Sequence, residues 1–230
     1  PGLEGLGDDV IGRYGISPGK VEVIPNAIDP GDFLPSRSLE EVRGELGLPV
    51  TAPVVALVGR MTEQKGHTYL LRALPALAGR HPGLHLIIAG DGPLRSALEA
   101  EAKALGVHHR CHFLGVRQDV ADLLAASDVV AVPSLSEGLP YVILEAMAVA
   151  RPVVASRVSG NPEVVAEGLT GLLVPPKDVG ALTSALDRVL SDPEIATALG
   201  AEGRRRVESE FTLERMLAGV EKVYRSCLEE

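Results

Sequence analysis

Two glutamates, Glu137 and Glu145, stand eight positions apart in the stretch SLSEGLPYVILEAMA, residues 134–148. Gly138 and Pro140 between them indicate a loop followed by a helix, because proline suits the first helical position, where its missing N–H is not needed. A helix rises about 1.5 Å per residue, so the two carboxylates cannot be adjacent. Carboxylates accept hydrogen bonds from hydroxyl groups, so this pair is suited to hold two parts of an extended polyol such as a sugar or a ribose.

The same stretch has a second interpretation, in which Glu145 is a surface residue of the helix and Glu137 an acid near the helix start. The run VILEAMAVA weakens it, because this run is apolar nearly all round and a glutamate in a buried run needs a partner. A free helix start also attracts anions, and Gly138 lets a ligand approach the backbone closely. A glycosidase pair is disfavoured, since such carboxylates usually come from separate elements and face each other across a bond.

A second candidate site follows the apolar run Val54–Val58, where Gly59 is succeeded by Arg60 and, five residues later, by Lys65 and Gly66. Arginine offers a planar fork of donors to phosphate oxygens, and lysine offers a mobile point charge. Together the two cations could hold a diphosphate. The alternative is a solvated loop with ordinary cations.

Two further motifs carry weaker indications. The sequence GDGP at residues 90–93 resembles part of a dinucleotide fingerprint but lacks the full G-x-G-x-x-G. A tight turn is therefore favoured, and a backbone contact of Gly90 with a nucleotide stays open.

The run HHRCH at residues 108–112 is suggestive of a metal site. Strand alternation would place Cys111 and His112 on opposite faces, which favours structural or surface roles for this run.

The rest of the chain alternates short apolar runs with helical patterns, and this order predicts an α/β fold with a parallel sheet covered by helices on both faces. In such sheets ligands bind beyond the carboxyl ends of the strands, where the candidate residues above lie. The predicted strands are Lys20–Pro25, Val54–Val58, Leu84–Ala89, Cys111–Gly115, Val129–Val132, Val153–Ser156 and Gly171–Val174. The predicted helices are Leu3–Tyr14, His67–Gly79, Leu94–Leu105, Val120–Ala126, Pro140–Val149, Pro162–Glu167, Val179–Leu190, Pro193–Glu210 and Leu213–Leu228.

Composition limits the class of protein. The chain has 230 residues, 46% of them hydrophobic, which is enough for a sizeable core. Its net charge of −9 argues against general nucleic-acid binding, which needs a basic surface. No apolar run has the length of a membrane span, and the first residues of this sequence lack the apolar stretch that is typical of a signal peptide. Cys111 and Cys227 lie far apart in sequence and predict no disulfide framework, so a reducing cytosol is the expected location.

Taken together, the motifs resemble the retaining glycosyltransferases of the GT-B fold, in particular the large group-4 class with its E-x7-E signature. The resemblance extends from about residue 8 to the end of the chain. It implies an enzyme that moves a sugar from a nucleoside diphosphate to an acceptor with retention of configuration, and a Rossmann-like sheet that forms the carboxy-terminal half of the fold. The matching motifs, in chain order, are VIPNAID, VGRMTEQKG, IIAGDGP, FLGVRQDV, SEGLPYVILEAMA and TGLLVPPKD.

The resemblance implies a role for each matching residue. Arg60 and Lys65 would clamp the diphosphate and stabilise charge on the leaving nucleotide, so that no metal or other cofactor is expected. Glu137 would contact hydroxyl groups of the donor sugar, and Glu145 those of the ribose. With Arg60, Lys65 and Glu137 as the catalytic set, the donor-binding set is Gly59, Gly90, Val116, Arg117, Gly138, Leu139, Pro140 and Glu145.

The resemblance also implies that this chain is a donor-binding half without the amino-terminal domain that binds the acceptor. Residues 1–16 would be the last helix of that domain, residues 17–210 the nucleotide-sugar domain, and residues 211–230 a helix that crosses back. We expect the isolated chain to be inactive, and peripheral membrane association to depend on the other domain. Two alternatives stay open: a non-catalytic module that binds a sugar nucleotide or a protein, and a dinucleotide-dependent oxidoreductase domain, which the incomplete glycine fingerprint disfavours.

Overall fold

Short apolar strands form a six-stranded parallel sheet in the computed structural model, which describes residues 11–228. The strand order is β3-β2-β1-β4-β5-β6, so the chain first builds outward on one side of β1 and then crosses to the other side. The neighbouring strands β1 and β4 therefore mark the point where the strand order reverses. The strands are β1 Val54–Val58, β2 His85–Ala89, β3 Cys111–Gly115, β4 Val129–Val132, β5 Val153–Ser156 and β6 Gly171–Val174.

Helices connect successive strands and cover both faces of the sheet. Alternate residues of β1 show this: Val55 and Leu57 lie in one buried cluster, Val54 and Ala56 in another. The predicted parallel α/β fold with helices on both faces is thus confirmed. The helices are α1 Leu39–Glu45, α2 His67–Arg80, α3 Arg95–Ala104, α4 Val120–Ala125, α5 Tyr141–Ala148, α6 Asn161–Val164, α7 Val179–Ser191, α8 Pro193–Glu210 and α9 Leu213–Leu228.

One predicted strand is wrong. Lys20–Pro25 forms no ladder with any described strand; after a 3-10 turn at Pro18–Lys20 the backbone is extended but unpaired. This segment runs beside α9, where Lys222 Nζ donates to Glu22 at 2.8 Å and Ile24 lies against Gly219. Glu22 and Ile24 contact this helix, so a strand-like sequence pattern occurs here without a sheet.

One helix was not predicted from the sequence. Helix α1 begins after Ser38, whose hydroxyl accepts from the Glu41 amide at 3.2 Å while the Glu41 carboxylate accepts from the Ser38 amide at 2.8 Å. This reciprocal capping box is a sequence-level signal of a helix start. The predicted helix Pro162–Glu167 is shorter, at Asn161–Val164. Of the predicted helix Leu3–Tyr14, residues 11–14 are helical and the others lie outside the described residues.

The longest helices of the described region, α8 and α9, are both too polar to serve as membrane spans. Across residues 11–228, no helix combines the length and the apolar character needed to cross a bilayer.

Candidate functional site

The candidate residues Lys65 and Glu137 meet at the carboxyl ends of β1 and β4. Lys65 Nζ donates to the two carboxylate oxygens of Glu137 at 2.7 Å and 3.0 Å, and the Ser134 hydroxyl donates to the first of them at 2.6 Å. Glu137 is 8% exposed, so its charge is nearly buried and depends on these donors. The pair joins the two loops at the point where the strand order reverses, which is the usual ligand position in an open α/β sheet.

Main-chain contacts fix the same two loops to each other. The Leu135 amide donates to the Gln64 carbonyl at 2.7 Å, and the Gln64 side chain donates to the Ser136 carbonyl at 2.9 Å. Gly66 has φ +68°, and a Cβ built there would lie 2.0 Å from the Pro133 carbonyl oxygen. Only glycine allows this approach, so the lysine loop rests directly on the backbone that leads to Glu137.

The loop that carries Gly138 is held from its other side. A Cβ on Gly160, in the loop after β5, would lie 1.7 Å from the Gly138 carbonyl oxygen, and Asn26 Nδ2 donates to the Leu139 carbonyl at 2.7 Å. Gly138 itself is exposed, with no atom near the position of a Cβ. Its backbone is therefore both fixed and open to a ligand.

The start of α5 differs from the prediction by one residue. Pro140 is the N-cap with an extended backbone, and the helix begins at Tyr141. Pro140 is buried and has no N–H to donate, so a direct hydrogen bond from it to a ligand is excluded. No side chain caps this helix start, and its first amides stay available.

A cleft of about 400 Å³ lies beside the ion pair, at the ends of β1, β2 and β3. Arg60 is exposed at its edge. A Cβ on Gly90 would lie 2.1 Å from the Gly59 carbonyl oxygen, so the two glycines bring the ends of β1 and β2 into close contact. The structure thus brings Gly59, Arg60, Gly90, Val116 and Arg117 together in one cleft, as the sequence predicts; Val58, Ala89, Asp91 and Val120 also line it.

The side chain of Arg117 is engaged within the protein. Its Nε donates to Asp119 at 2.7 Å, and its Nη2 donates to Asp119 at 2.6 Å and to Glu45 at 2.9 Å. These carboxylates raise the pKa of Arg117, and Arg117 in turn lowers the pKa of Asp119 to about 2. Arg37 also binds Glu45 and Asp119, so α1 is tied to the edge of the cleft. Arg117 therefore presents its backbone to a ligand more readily than its guanidinium, while Val116 is 72% exposed.

Glu145 lies half-buried in the middle of α5. Among residues 11–228 its carboxylate has no hydrogen-bonding or ion-pairing partner, and burial raises its pKa above the ordinary value. A half-buried carboxylate without a partner costs stability. Residues 11–228 therefore do not supply the partner that a buried glutamate needs.

His67, the first residue of α2, is a functional candidate that the sequence analysis missed. It is 2% exposed, and its ring has a backbone hydrogen bond with Gly59. Burial, and then the nearby charge of Lys65, lower its pKa to about 4, so the imidazole is neutral at pH 7. Its position directly after Lys65-Gly66 was the available signal.

The side chains of the HHRCH run do not converge on one point. Cys111 packs against the buried cluster on one face of the sheet, whereas His112 Nε2 lies 3.1 Å from His85 Nδ1 of the neighbouring strand. Burial raises the pKa of the Cys111 thiol to about 12. Over residues 11–228 no three His, Cys, Asp or Glu side chains form a group suited to a metal ion.

We expect Gly160→Ala to destabilise the fold by about 1–3 kcal/mol, because the new methyl group must displace the Gly138 carbonyl. Urea unfolding measures this. The matched control is Gly79→Ala, an exposed position of α2 with open space around a Cβ, where we expect stabilisation by about 0.5–1 kcal/mol. Equal unfolding midpoints for Gly160→Ala and the unaltered chain would contradict the main-chain contact.

We expect Glu145→Gln to raise the melting temperature at pH 7 by about 1–3 °C, because it removes a half-buried charge. The folded-state pKa of Glu145 is raised, so the cost of this carboxylate is absent below about pH 4 and grows as the pH rises through the folded-state pKa. The difference between the two proteins should therefore vanish near pH 4. Thermal melts at both pH values test this, with exposed Glu40→Gln as the control expected to show no such pH-dependent gain. A lower melting temperature for Glu145→Gln at pH 7 would show that the carboxylate has a protein partner.

Comparison with curated proteins finds several relatives of known family. An uncharacterized glycosyltransferase of Methanocaldococcus jannaschii is 35% identical over 97% of this chain and 58% of its own length. A D-inositol 3-phosphate glycosyltransferase of Saccharomonospora viridis is 35% identical over 96% of this chain and 53% of its own length. An alpha-maltose-1-phosphate synthase of Mycolicibacterium smegmatis is 36% identical over 96% of this chain and 61% of its own length. The chain thus spans little more than half the length of these relatives.

Solved structures share the fold. A sucrose-phosphate synthase from Thermosynechococcus elongatus superposes with a TM-score of 0.85 at 31% identity, over 97% of this chain and 57% of that chain. The HepE protein of Anabaena, solved in complex with UDP-glucose, superposes with a TM-score of 0.87 at 26% identity, over 94% of this chain and 61% of that chain. Residues 38–206 match the family described as glycosyl transferases group 1. The chain therefore belongs to the group 1 glycosyl transferases and has the Rossmann-like fold of the carboxy-terminal half of GT-B enzymes.

Proposed function

We propose that this chain is the donor-binding half of a retaining glycosyltransferase and binds a nucleoside diphosphate sugar. The observation that carries the proposal is the meeting of Lys65 and Glu137, beside the open cleft and the uncapped start of α5, at the carboxyl edge where β1 and β4 adjoin. A cation, a carboxylate and free helix amides at one point suit a ligand that joins a diphosphate to a polyol.

The donor would occupy the site in three parts. The diphosphate would lie between Arg60 and Lys65, whose fixed positive charges would stabilise the leaving nucleoside diphosphate during transfer. The sugar would reach Glu137, the exposed backbone of Gly138 and the amide of Leu139. The ribose hydroxyls would donate hydrogen bonds to the carboxylate of Glu145, which has no partner among residues 11–228.

The base would enter the cleft formed by Gly59, Gly90, Val116 and the backbone of Arg117. Hydrophobic Val116 is exposed there, and an exposed apolar side chain at the rim of a cleft suits the flat face of a base. The HepE structures contain UDP and UDP-glucose, which supports a uridine nucleotide as the first ligand to test.

The Lys65–Glu137 pair has a consequence for donor binding. Glu137 neutralises part of the charge that Lys65 would give to a phosphate, and Lys65 has three N–H donors, of which Glu137 takes two. The remaining donor can serve the diphosphate without breaking the pair. This arrangement would place the sugar-binding carboxylate and the phosphate-binding cation in contact, on adjacent parts of one ligand.

Isothermal titration calorimetry with UDP, GDP and ADP and their sugar conjugates tests the proposal. We expect saturable binding of one nucleotide series, and no transfer of sugar by this chain alone. No heat with any of these compounds at millimolar concentration would overturn the donor-binding function. Measurable sugar transfer by the chain alone would overturn only the expectation that it is inactive, and binding of NAD(H) in place of the nucleotides would favour the oxidoreductase alternative.

We expect Lys65→Ala to weaken binding of the preferred nucleoside diphosphate by about tenfold to a hundredfold, because a charge-assisted contact to phosphate contributes about 1.5–3 kcal/mol. The control is Lys103→Ala, which removes the same charge from an exposed position of α3. Calorimetry on both variants, with circular dichroism to verify folding, measures the difference. If the two variants bind equally well, Lys65 does not contact the phosphate.

A further inference from the structure

A cavity of about 570 Å³ lies at the amino-terminal edge of the sheet, opposite to the candidate site. Its walls come from α1, from residues that precede β1, β4 and β5, and from α7 and α8. We call it the amino-edge cavity. Its volume falls within the range of small-molecule pockets, about 300–1,000 Å³. Nothing in the donor-binding function uses this edge of the sheet.

The wall has an aliphatic part and a polar part. Leu39 of α1, Val50, Val149, Leu190 of α7 and Ala196 of α8 line the aliphatic part. This part favours a ligand with a hydrocarbon portion.

The wall formed by α8 is fixed by a main-chain contact. A Cβ on Gly200 would lie 2.1 Å from the Ala150 carbonyl oxygen, so the helix rests directly on the backbone between α5 and β5. Ala150 itself has φ +55°, a conformation that non-glycine residues adopt only where the surroundings impose it. The cavity is therefore preformed, which lowers the cost of binding.

Two arginines line the cavity, and one of them is fully engaged. Arg43 is 2% exposed and donates from Nε to the Ala126 carbonyl at 2.9 Å and from Nη1 to the Ala52 carbonyl at 2.8 Å. Its Nη2 donates to Asp128 at 3.1 Å, and the same carboxylate oxygen accepts from the Val54 amide at 2.7 Å. Arg43 and Asp128 thus form a neutral, structural pair.

Arg151 lines the same cavity but makes fewer hydrogen bonds within the protein than Arg43 does. Its Nη2 donates to the Ala125 carbonyl at 2.6 Å, and its buried Nε has no hydrogen-bonding partner among residues 11–228. Within that region no carboxylate oxygen lies at ion-pair distance from it; Asp128 acts on it only through space. Burial, and the adjacent charge of Arg43, lower the pKa of Arg151. The cavity therefore has an excess positive charge in a chain whose net charge is −9.

We infer that the amino-edge cavity binds a small organic anion whose head group pairs with Arg151 and whose aliphatic body fills the space between α1, α7 and α8. An arginine that is half removed from water and lacks a carboxylate gains from an anionic partner, and a guanidinium binds a carboxylate or a phosphate in a fixed two-point geometry. The aliphatic part of the wall favours an organic anion over an inorganic one, because an inorganic ion would leave this part in contact with water.

Ligand-observed NMR and calorimetry with octanoate as the probe test this inference. We expect saturable one-to-one binding of octanoate to the unaltered chain, at least tenfold tighter than binding of inorganic phosphate and of 1-octanol. Phosphate has the charge without the hydrocarbon body, and octanol has the body without the charge. Equal binding of octanoate and octanol would remove Arg151 from the site, and equal binding of octanoate and phosphate would remove the aliphatic part.

Two variants test whether octanoate binds in the amino-edge cavity. Arg151→Gln should weaken octanoate binding at least fivefold, whereas Arg157→Gln, which removes the same charge from an exposed arginine at the other end of β5, should not change it. Thr197→Trp places a large side chain at an exposed position of α8 that lines the cavity, and it should also reduce binding. Because Thr197→Trp leaves the core and both arginines intact, it decides the question even if Arg151→Gln fails to fold. Unchanged octanoate binding in Thr197→Trp, or no binding to the unaltered chain at millimolar concentration, would overturn the inference.

Discussion

The ion pair between Lys65 and Glu137 is the interaction on which the candidate site depends. The two residues are 72 positions apart, and they meet because β1 and β4 are adjacent at the point where the strand order reverses. A nearly buried carboxylate is stable there only with a cation and a hydroxyl donor, which Lys65 and Ser134 supply. The charge that would bind a ligand is thus balanced before the ligand arrives.

Backbone contacts keep this pair in place. Gly66, Gly90 and Gly160 each lie where a Cβ would overlap a carbonyl oxygen of a neighbouring loop. Such contacts set loop positions without depending on side-chain rotamers, and a site built on them requires little reorganisation when charge develops in a reaction. These three glycines therefore fix the relative positions of the loops that carry the candidate site.

The sequence predicted the sheet well because most strands of the sheet are continuous apolar runs between turn residues. It failed at Lys20–Pro25, where Glu22 and Ile24 contact α9 and the segment pairs with no described strand. It also missed α1, a short helix whose capping box at Ser38 and Glu41 was present in the sequence.

The members of the candidate cleft could be predicted, since each follows a strand and the carboxyl ends of parallel strands share one edge. The hydrogen bonds and ion pairs of these residues could not be predicted, because they depend on distances across the sheet. Arg117 shows the difference: its position beside the cleft was predicted, but its contact with Glu45 depends on a helix that was not. The position of His67 directly after Lys65 and Gly66 was visible in the sequence, but its burial was not.

The contact between Gly160 and Gly138 bears on how such a domain can diversify. The loops after β4 and β5 touch through main-chain atoms, so neither can change length or path alone. Exchange of a single loop between relatives would place two backbones in the same space, whereas exchange of both loops as one unit would preserve their fit. Variation in the chemistry of this edge is therefore restricted to side chains on a shared backbone, or to joint replacement of neighbouring loops.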